Sequence, residues 1–165
     1  GFTVKTLEGG YDIRKYHRVM WRGFDHPGEP PETEEALRSR MKMLCGGPHA
    51  DLSLRIAVIA PGGEYASFCG MWYEPGTENA LVEPVATDPA WRRMGLGRAA
   101  VLEGVRRCAL RGAKRAFVGS DQPFYHRIGF RPLPPSTWWI LEDIHTLDRG
   151  AGHPVGVHRA RCLVM

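Results

Sequence analysis

Residues 82–100 read VEPVATDPAWRRMGLGRAA. A strand-like run, Ala80 to Thr87, leads into this stretch, and a helix-forming run, Leu96 to Leu110, leads out of it. Between them Gly95 and Gly97 stand close together among Arg92, Arg93 and Arg98. The following run places Val101, Leu102, Val105 and Ala109 on one inward side, and Gly112 ends it. A helix N-terminus presents unpaired N–H groups and partial positive charge, which suits an anion. Glycine lets a phosphate reach the backbone with no Cβ in the way. Arginine adds charge and paired donors at the rim. The stretch therefore predicts a strand, a turn that cradles an anion, and a helix. Pro84 cannot donate to a ladder, so the strand is interrupted, bulged or at an edge there.

Other elements extend on both sides. Phe2 to Leu7 alternates like a short strand. Tyr11 to Phe24 carries Ile13, Tyr16, Met20 and Phe24 at helical spacing. The segment DHPGEPPE breaks that helix. Thr33 then caps a second one, with Glu34 and Glu35 in its first turn and Leu37, Met41 and Leu44 as its apolar stripe. Leu52 to Ala60 and Glu64 to Tyr73 read as strands around the turn Pro61-Gly62-Gly63. After the long helix come a short strand at Arg115 to Gly119, a short helix or turn in QPFYHRIG, and closing strands in FRPL and STWWIL. Hairpins plus one strand–helix–strand crossover imply a mixed α+β domain. One domain is expected over 1–141, with a loosely packed tail over 142–165.

Composition narrows the class. With 165 residues, 43% hydrophobic and 24% charged, the chain has the composition of a soluble globular protein. No run reaches the roughly 18 apolar residues of a membrane helix, and no secretory signal opens the chain. Cys45, Cys69, Cys108 and Cys162 are scattered, so neither disulfides nor zinc are expected, and a reducing cytoplasm is the simple location. His153 and His158 are too isolated to suggest a metal. The net charge is +4. Eight basic residues (92, 93, 98, 106, 107, 111, 114 and 115) cluster with one acid, Glu103. They form either a patch for an anionic partner or a solvated helix face.

Two nucleotide motifs fit the glycines. GLGRAA matches the dinucleotide fingerprint, but that motif needs its first glycine directly after the strand. Here Asp88 to Met94 intervene, and the repeated strand–helix alternation of that fold is missing. The second match is Arg92-x-x-Gly95-x-Gly97. Here the sequence resembles the GNAT superfamily of N-acetyltransferases, whose acetyl-CoA motif is Q/R-x-x-G-x-G/A between a central strand and a long helix. PFYHRIGFRP resembles the family's later F-Y-x-K/R-x-G-F segment, with Phe124, Tyr125, Arg127, Gly129 and Phe130 in place. The element order fits the family over Phe2 to Leu141. Where the family often has an asparagine, seven residues before the tyrosine, this chain has Val118, so no asparagine contact is carried over. Ser120 or Asp121 serves another purpose in that loop.

The resemblance implies a central mixed, mostly antiparallel sheet flanked by helices and splayed at the cofactor-binding strand. It implies direct acetyl transfer from acetyl-CoA, as co-substrate, to a primary amine of a small molecule or peptide. The pyrophosphate would lie on the backbone of Met94, Gly95, Leu96, Gly97 and Arg98, with Arg92 and Arg93 at the rim. Val85, Ala86 and Thr87 would pair with the pantetheine arm, and one N–H would polarise the thioester. Tyr125 matches the family tyrosine, usually placed near the coenzyme sulfur, whose phenol could protonate the departing thiolate; a tyrosine packed at a domain edge is the other reading. Glu83, sharing alternation with Leu81 and Val85, is the candidate base; a structural carboxylate at the proline kink is the other reading. Trp21, Phe24, Trp72 and Tyr73 are candidate walls of the acceptor site, each otherwise core. No metal, nucleic acid or membrane partner is expected, and a homodimer stays open. A CoA-binding regulatory domain and a basic nucleic-acid-binding module are the alternative functions.

Overall fold

In the first half of the chain, β1 (Thr3–Thr6) pairs antiparallel with β2 (Arg55–Ile59), which pairs with β3 (Tyr65–Tyr73), which pairs with β4 (Asn79–Thr87). This computed structural model describes residues 1–47, 49–133, 138–139, 157–158 and 163–165. The helices of this half are α1 (Ile13–Gly23), α2 (Glu34–Cys45) and α3 (Leu96–Leu110). Each begins where the sequence supplies a start. Asp12 accepts from the N–H groups of Arg14 and Lys15, and Thr33 accepts from that of Ala36. α3 starts at Gly95 with no side-chain cap. The expected strand Leu52 to Ala60 opens with a 3-10 turn, Leu52–Leu54, because Asp51 takes the Ser53 N–H at 2.8 Å.

The sheet separates two packed layers. Phe68 of β3 and Ala86 of β4 lie opposite each other and face α1, in a core with Tyr16, Val19, Met20 and Leu44. Tyr16 and Phe68 meet edge to face at 4.8 Å between ring centres. Cys69 and Met71 alternate onto the other face. There a Cβ on Gly104 of α3 would come within 2.6 Å of Met71 Cγ, so α3 covers that side. This is the mixed α/β class of an antiparallel sheet flanked by helices. Of the residues spaced along α1, Tyr16 and Met20 are buried, whereas Phe24 lies at its C-cap and is exposed.

The chain divides into two compact units, Gly1–Ala116 and Phe117–Met165. The short strand β5 (Arg115–Val118) runs through the division. In the second unit α4 (Pro123–Arg127) leads to β6 (Arg131–Pro132). Two-residue strands β7 (Trp138–Trp139) and β8 (Val157–His158) pair with each other. Most of 142–165 lies outside the described residues. Its end, β9 (Leu163–Val164), pairs with both β5 and β6, and Leu163 is fully buried.

Candidate functional site

The turn after β4 is built from local chemistry. Asp88 caps a 3-10 turn, Pro89–Trp91, its Oδ1 accepting the Ala90 N–H at 2.9 Å. Arg93 (φ 65°) and Gly95 (φ 80°) then take the left-handed conformation that reverses the chain into α3. The first bond of the helix runs from Ala99 N to Gly95 O at 3.0 Å. The N–H groups of Leu96, Gly97 and Arg98 precede it and have no acceptor within the helix. Nothing lies within 4 Å of where a Cβ on Gly95 would stand, so the turn opens onto free space.

Charge around this turn is sorted. Arg106 and Arg107 both hold Glu103, each at 2.7 Å. Hydrogen bonds from Arg106 first, then Arg107, hold the Glu103 carboxyl down at about 2, against the opposing effect of burial. Arg111 pairs with Asp51, Lys114 and Arg115 with Glu78, and Arg92 with Asp25. Of the eight clustered basic residues, only Arg93 and Arg98 have no ion-pair partner among the described residues. Both flank the open turn. The six paired residues share four acids, Asp25, Asp51, Glu78 and Glu103, so the stripe is partly neutralised and its unpaired charge sits beside the turn.

β4 carries the expected irregularity at Pro84, and it is a bulge. Cys69 faces Val85 and Met71 faces Val82, so Gly70 alone opposes Glu83 and Pro84. A Cβ on Gly70 would stand 2.6 Å from Glu83 O, so the bulge needs a glycine across from it. The bulge corrects one expectation. Val82 and Val85 both face α3, so Glu83 does not alternate with Val85. It lies on the α1 side with Leu81, next to Trp72. The carboxylate is exposed and has no hydrogen-bond partner among the described residues. Trp72 holds the bulge from across the strand: its indole N–H donates to Glu83 O at 2.9 Å. Behind it Arg55, 1% exposed, stacks on the indole at 4.1 Å and donates to Leu44 O and Met71 O. Further along β4, the buried Ser67 hydroxyl donates to Ala86 O at 3.0 Å and bonds the Thr87 hydroxyl at 2.8 Å.

The four candidate acceptor walls do not come together. Trp72 and Tyr73 point to opposite faces of β3. Tyr73 is buried, and its hydroxyl donates to Arg111 O at 2.8 Å, closing the end of α3. Trp21 donates to Pro27 O and Gly28 O, both at 3.2 Å, and stacks on His26, so it shapes the α1–α2 connection. Phe24 is 53% exposed beside it. His17 joins α1 to α2: Arg40 Nε donates to its Nδ1 at 3.1 Å, so Nε2–H donates to Pro31 O at 3.1 Å. Burial, then the nearby Arg40 charge, pulls its pKa down.

In the second unit Tyr125 is buried in α4, edge to face with Phe124 and Phe130. Asp121 bonds His126 at 2.9 Å and Ser120 takes the Gln122 N–H at 3.4 Å, so both shape the start of α4. Burial pushes the thiols of Cys69 and Cys108 up, Cys108 to about 11, which makes both poor nucleophiles. His153 lies outside the described residues. Sequence reasoning missed Arg22, Asp25, Ser67 and Arg55. Their partners are distant in the chain, and only Asp88, through its Asp-Pro turn, left a local signal.

A strand, a turn without a side-chain cap and a long helix follow one another on an antiparallel sheet covered by helices on both faces. The sequence matches the acetyltransferase (GNAT) family over residues 12–130, and the protein belongs to that family. No curated protein matches the sequence. Among solved structures, the ribosomal-protein-S18-alanine N-acetyltransferase of Escherichia coli superposes with a TM-score of 0.60 at 17% identity, over 99% of this chain and 91% of that one. Glucosamine-6-phosphate N-acetyltransferase of Arabidopsis thaliana gives 0.61 at 14% identity, over 86% and 99%. A GNAT family acetyltransferase of Brucella melitensis, solved with acetyl-CoA, gives 0.55 at 15% identity, over 79% and 83%. Among the described residues, no helix is long and apolar enough to cross a membrane.

Proposed function

We propose that the protein transfers an acetyl group directly from acetyl-CoA to a primary amine of a small molecule or peptide. One observation carries this reading. The uncapped N–H groups of α3, the open left-handed Gly95, and Arg93 and Arg98, which have no ion-pair partner among the described residues, belong to a single turn. A pyrophosphate fits such a place: it accepts several N–H bonds at once, and its charge answers both the helix dipole and the two guanidiniums. The backbone of Met94 to Arg98 would hold the pyrophosphate, with Arg93 and Arg98 beside it. Val85, Ala86 and Thr87 would line the pantetheine arm, with Ser67 fixing the last two.

Acetyl-CoA supplies an activated thioester. This chain must take a proton from the amine, stabilise charge on the thioester oxygen and return a proton to the thiolate. Glu83, exposed in the bulge, serves as base, directly or through water. Trp72 and Arg55 hold the backbone that carries it. A backbone N–H of Val85 to Thr87 serves as the oxyanion donor, and Tyr125 as the acid. The raised thiols of Cys69 and Cys108 support direct transfer over an acyl-cysteine. A reducing cytoplasm suits these thiols.

The test follows thiol release from acetyl-CoA over a panel of amines. The structural neighbours suggest two starting acceptors, a peptide with N-terminal alanine and an amino-sugar phosphate. Turnover with one amine that falls at least tenfold in Glu83→Gln or Tyr125→Phe, the usual scale for a lost general acid or base, supports the reading. Acetyl-CoA binding without turnover on any amine would instead favour a regulatory CoA-binding domain.

A further inference from the structure

The arginine that begins the glycine motif turns away from the motif's open side. Arg92 Nε donates to Thr87 O at 3.2 Å, and its Nη2 donates to Gly23 O at 3.0 Å and to Asp25 Oδ1 at 2.8 Å. Thr87 ends β4, Gly23 ends α1, and Asp25 lies in the connection to α2. A second arginine crosses in the other direction. Arg22, in the last turn of α1, donates from Nε to Asp88 Oδ2 at 2.7 Å and from Nη1 to Glu29 Oε1 at 3.1 Å. Asp88 is nearly buried and is itself fixed, its N–H donating to Ala66 O at 3.0 Å and its Oδ1 accepting from Ala90 N. Between the two arginines the main chains touch, for a Cβ on Gly23 would stand 2.7 Å from Ala86 Cβ.

We propose that Arg92 is a positioning residue for the α1–α2 connection and not a phosphate ligand. With Arg22 it fastens residues 23–29 to the end of β4, so that filling the Gly95 turn also steadies that connection. The second clause rests on the acetyl-CoA reading above; the first does not. Three features carry it. The Arg92 guanidinium already has a carboxylate partner, so it offers no unpaired charge to a phosphate, unlike Arg93 and Arg98. Asp25 takes a left-handed φ of 57°, which a non-glycine residue adopts at a cost, and its ion pair with Arg92 offsets that cost. Only Arg93 and Met94 separate Arg92 from Gly95, and Arg93 is also left-handed, so the turn and the fastening lie in one short segment.

The test is hydrogen exchange on the full chain, with and without acetyl-CoA, read at residues 23–33 and 94–104, alongside calorimetric affinities. Without ligand, Arg92→Gln and Asp25→Asn are expected to speed exchange at 23–33 and leave 94–104 unchanged. With acetyl-CoA, the wild type is expected to gain protection at both segments. Arg92→Gln is expected to keep its affinity within about threefold, because it holds no ligand bond, whereas Arg93→Gln or Arg98→Gln loses about tenfold with a charge-assisted bond. Arg92→Lys, which keeps the charge, guards against a folding defect. Equal losses of affinity in Arg92→Gln and Arg93→Gln, or unchanged exchange at 23–33 in both ligand-free variants, overturn the positioning role. A wild type that shows no protection at 94–104 overturns the acetyl-CoA reading and the coupling together, while the ligand-free exchange still decides the role of Arg92.

Discussion

Replacing Gly23 with alanine tests the contact on which both arginine crossings depend. The new Cβ would stand 2.7 Å from Ala86 Cβ and 3.0 Å from Thr87 N. Carbon atoms rest at about 3.5–4.0 Å, so α1 must withdraw from β4 by about 1 Å. Neither neighbour can yield easily: one is a methyl on a paired strand and the other is backbone. Overpacking of this kind costs about 1–3 kcal/mol. Alanine returns only part of the roughly 1 kcal/mol by which it exceeds glycine in a helix, since Gly23 is the last residue of α1. The net expectation is a loss of about 1–2 kcal/mol, or about 5 °C in melting temperature for a chain of this size. Gly9→Ala is the control, because its Cβ would meet nothing within 4 Å. Thermal and urea unfolding of both variants decide the matter. A Gly23→Ala protein as stable as Gly9→Ala would refute the close approach of α1 to β4.

Three further outcomes follow from the same contacts. Gly95→Ala meets open space but must keep a φ of 80°, so it should lose about 1 kcal/mol of stability; Gly95→Asn, whose side chain tolerates that conformation, should lose less. Both should weaken acetyl-CoA about tenfold or more by covering the helix N–H groups, and unchanged calorimetric affinity in both would place the anion elsewhere. For His17 the folded pKa lies below the ordinary value near 6.5, so the unfolded chain takes up its proton first as pH falls. Its contribution to stability is therefore intact above about 6.5 and lost as pH drops towards the folded value. Urea midpoints of the wild type minus those of His17→Gln should fall from pH 7 to pH 5, and a constant difference would contradict this. Trp72→Phe removes the hydrogen bond to Glu83 O and weakens the Arg55 stack, at about 1–2 kcal/mol by unfolding; a neutral substitution would mean the bulge does not rely on Trp72.

Local signals in the chain made most of the fold legible. α3 spans Leu96–Leu110 as its apolar spacing indicates, and Thr33 caps α2 as its position indicates. Pro84 announced an irregularity, because the missing N–H is a property of the residue itself, and the fold shows which of the three kinds it is, a bulge. The face on which Glu83 emerges was not legible, because the bulge inserts a residue and resets the alternation from which it was read. The glycine turn was recognisable, but its arginines could not be told apart. Arg92 is held by Gly23 and Asp25, far away in sequence, and only the fold shows that Arg93 and Arg98 have no ion-pair partner among the described residues. Tyr73 was readable as an aromatic but not as the donor to Arg111 O, for the same reason.

The most direct test of the account is calorimetric titration of acetyl-CoA into the full chain, at low and moderate salt. The wild type should bind, and more weakly as salt rises, since the contact is charged. Arg93→Gln combined with Arg98→Gln should lower the affinity about a hundredfold, two charge-assisted bonds being lost, and should flatten the salt dependence. No heat of binding at millimolar acetyl-CoA, or an affinity that the double variant leaves unchanged, would contradict the assignment of the turn before α3 as the coenzyme site.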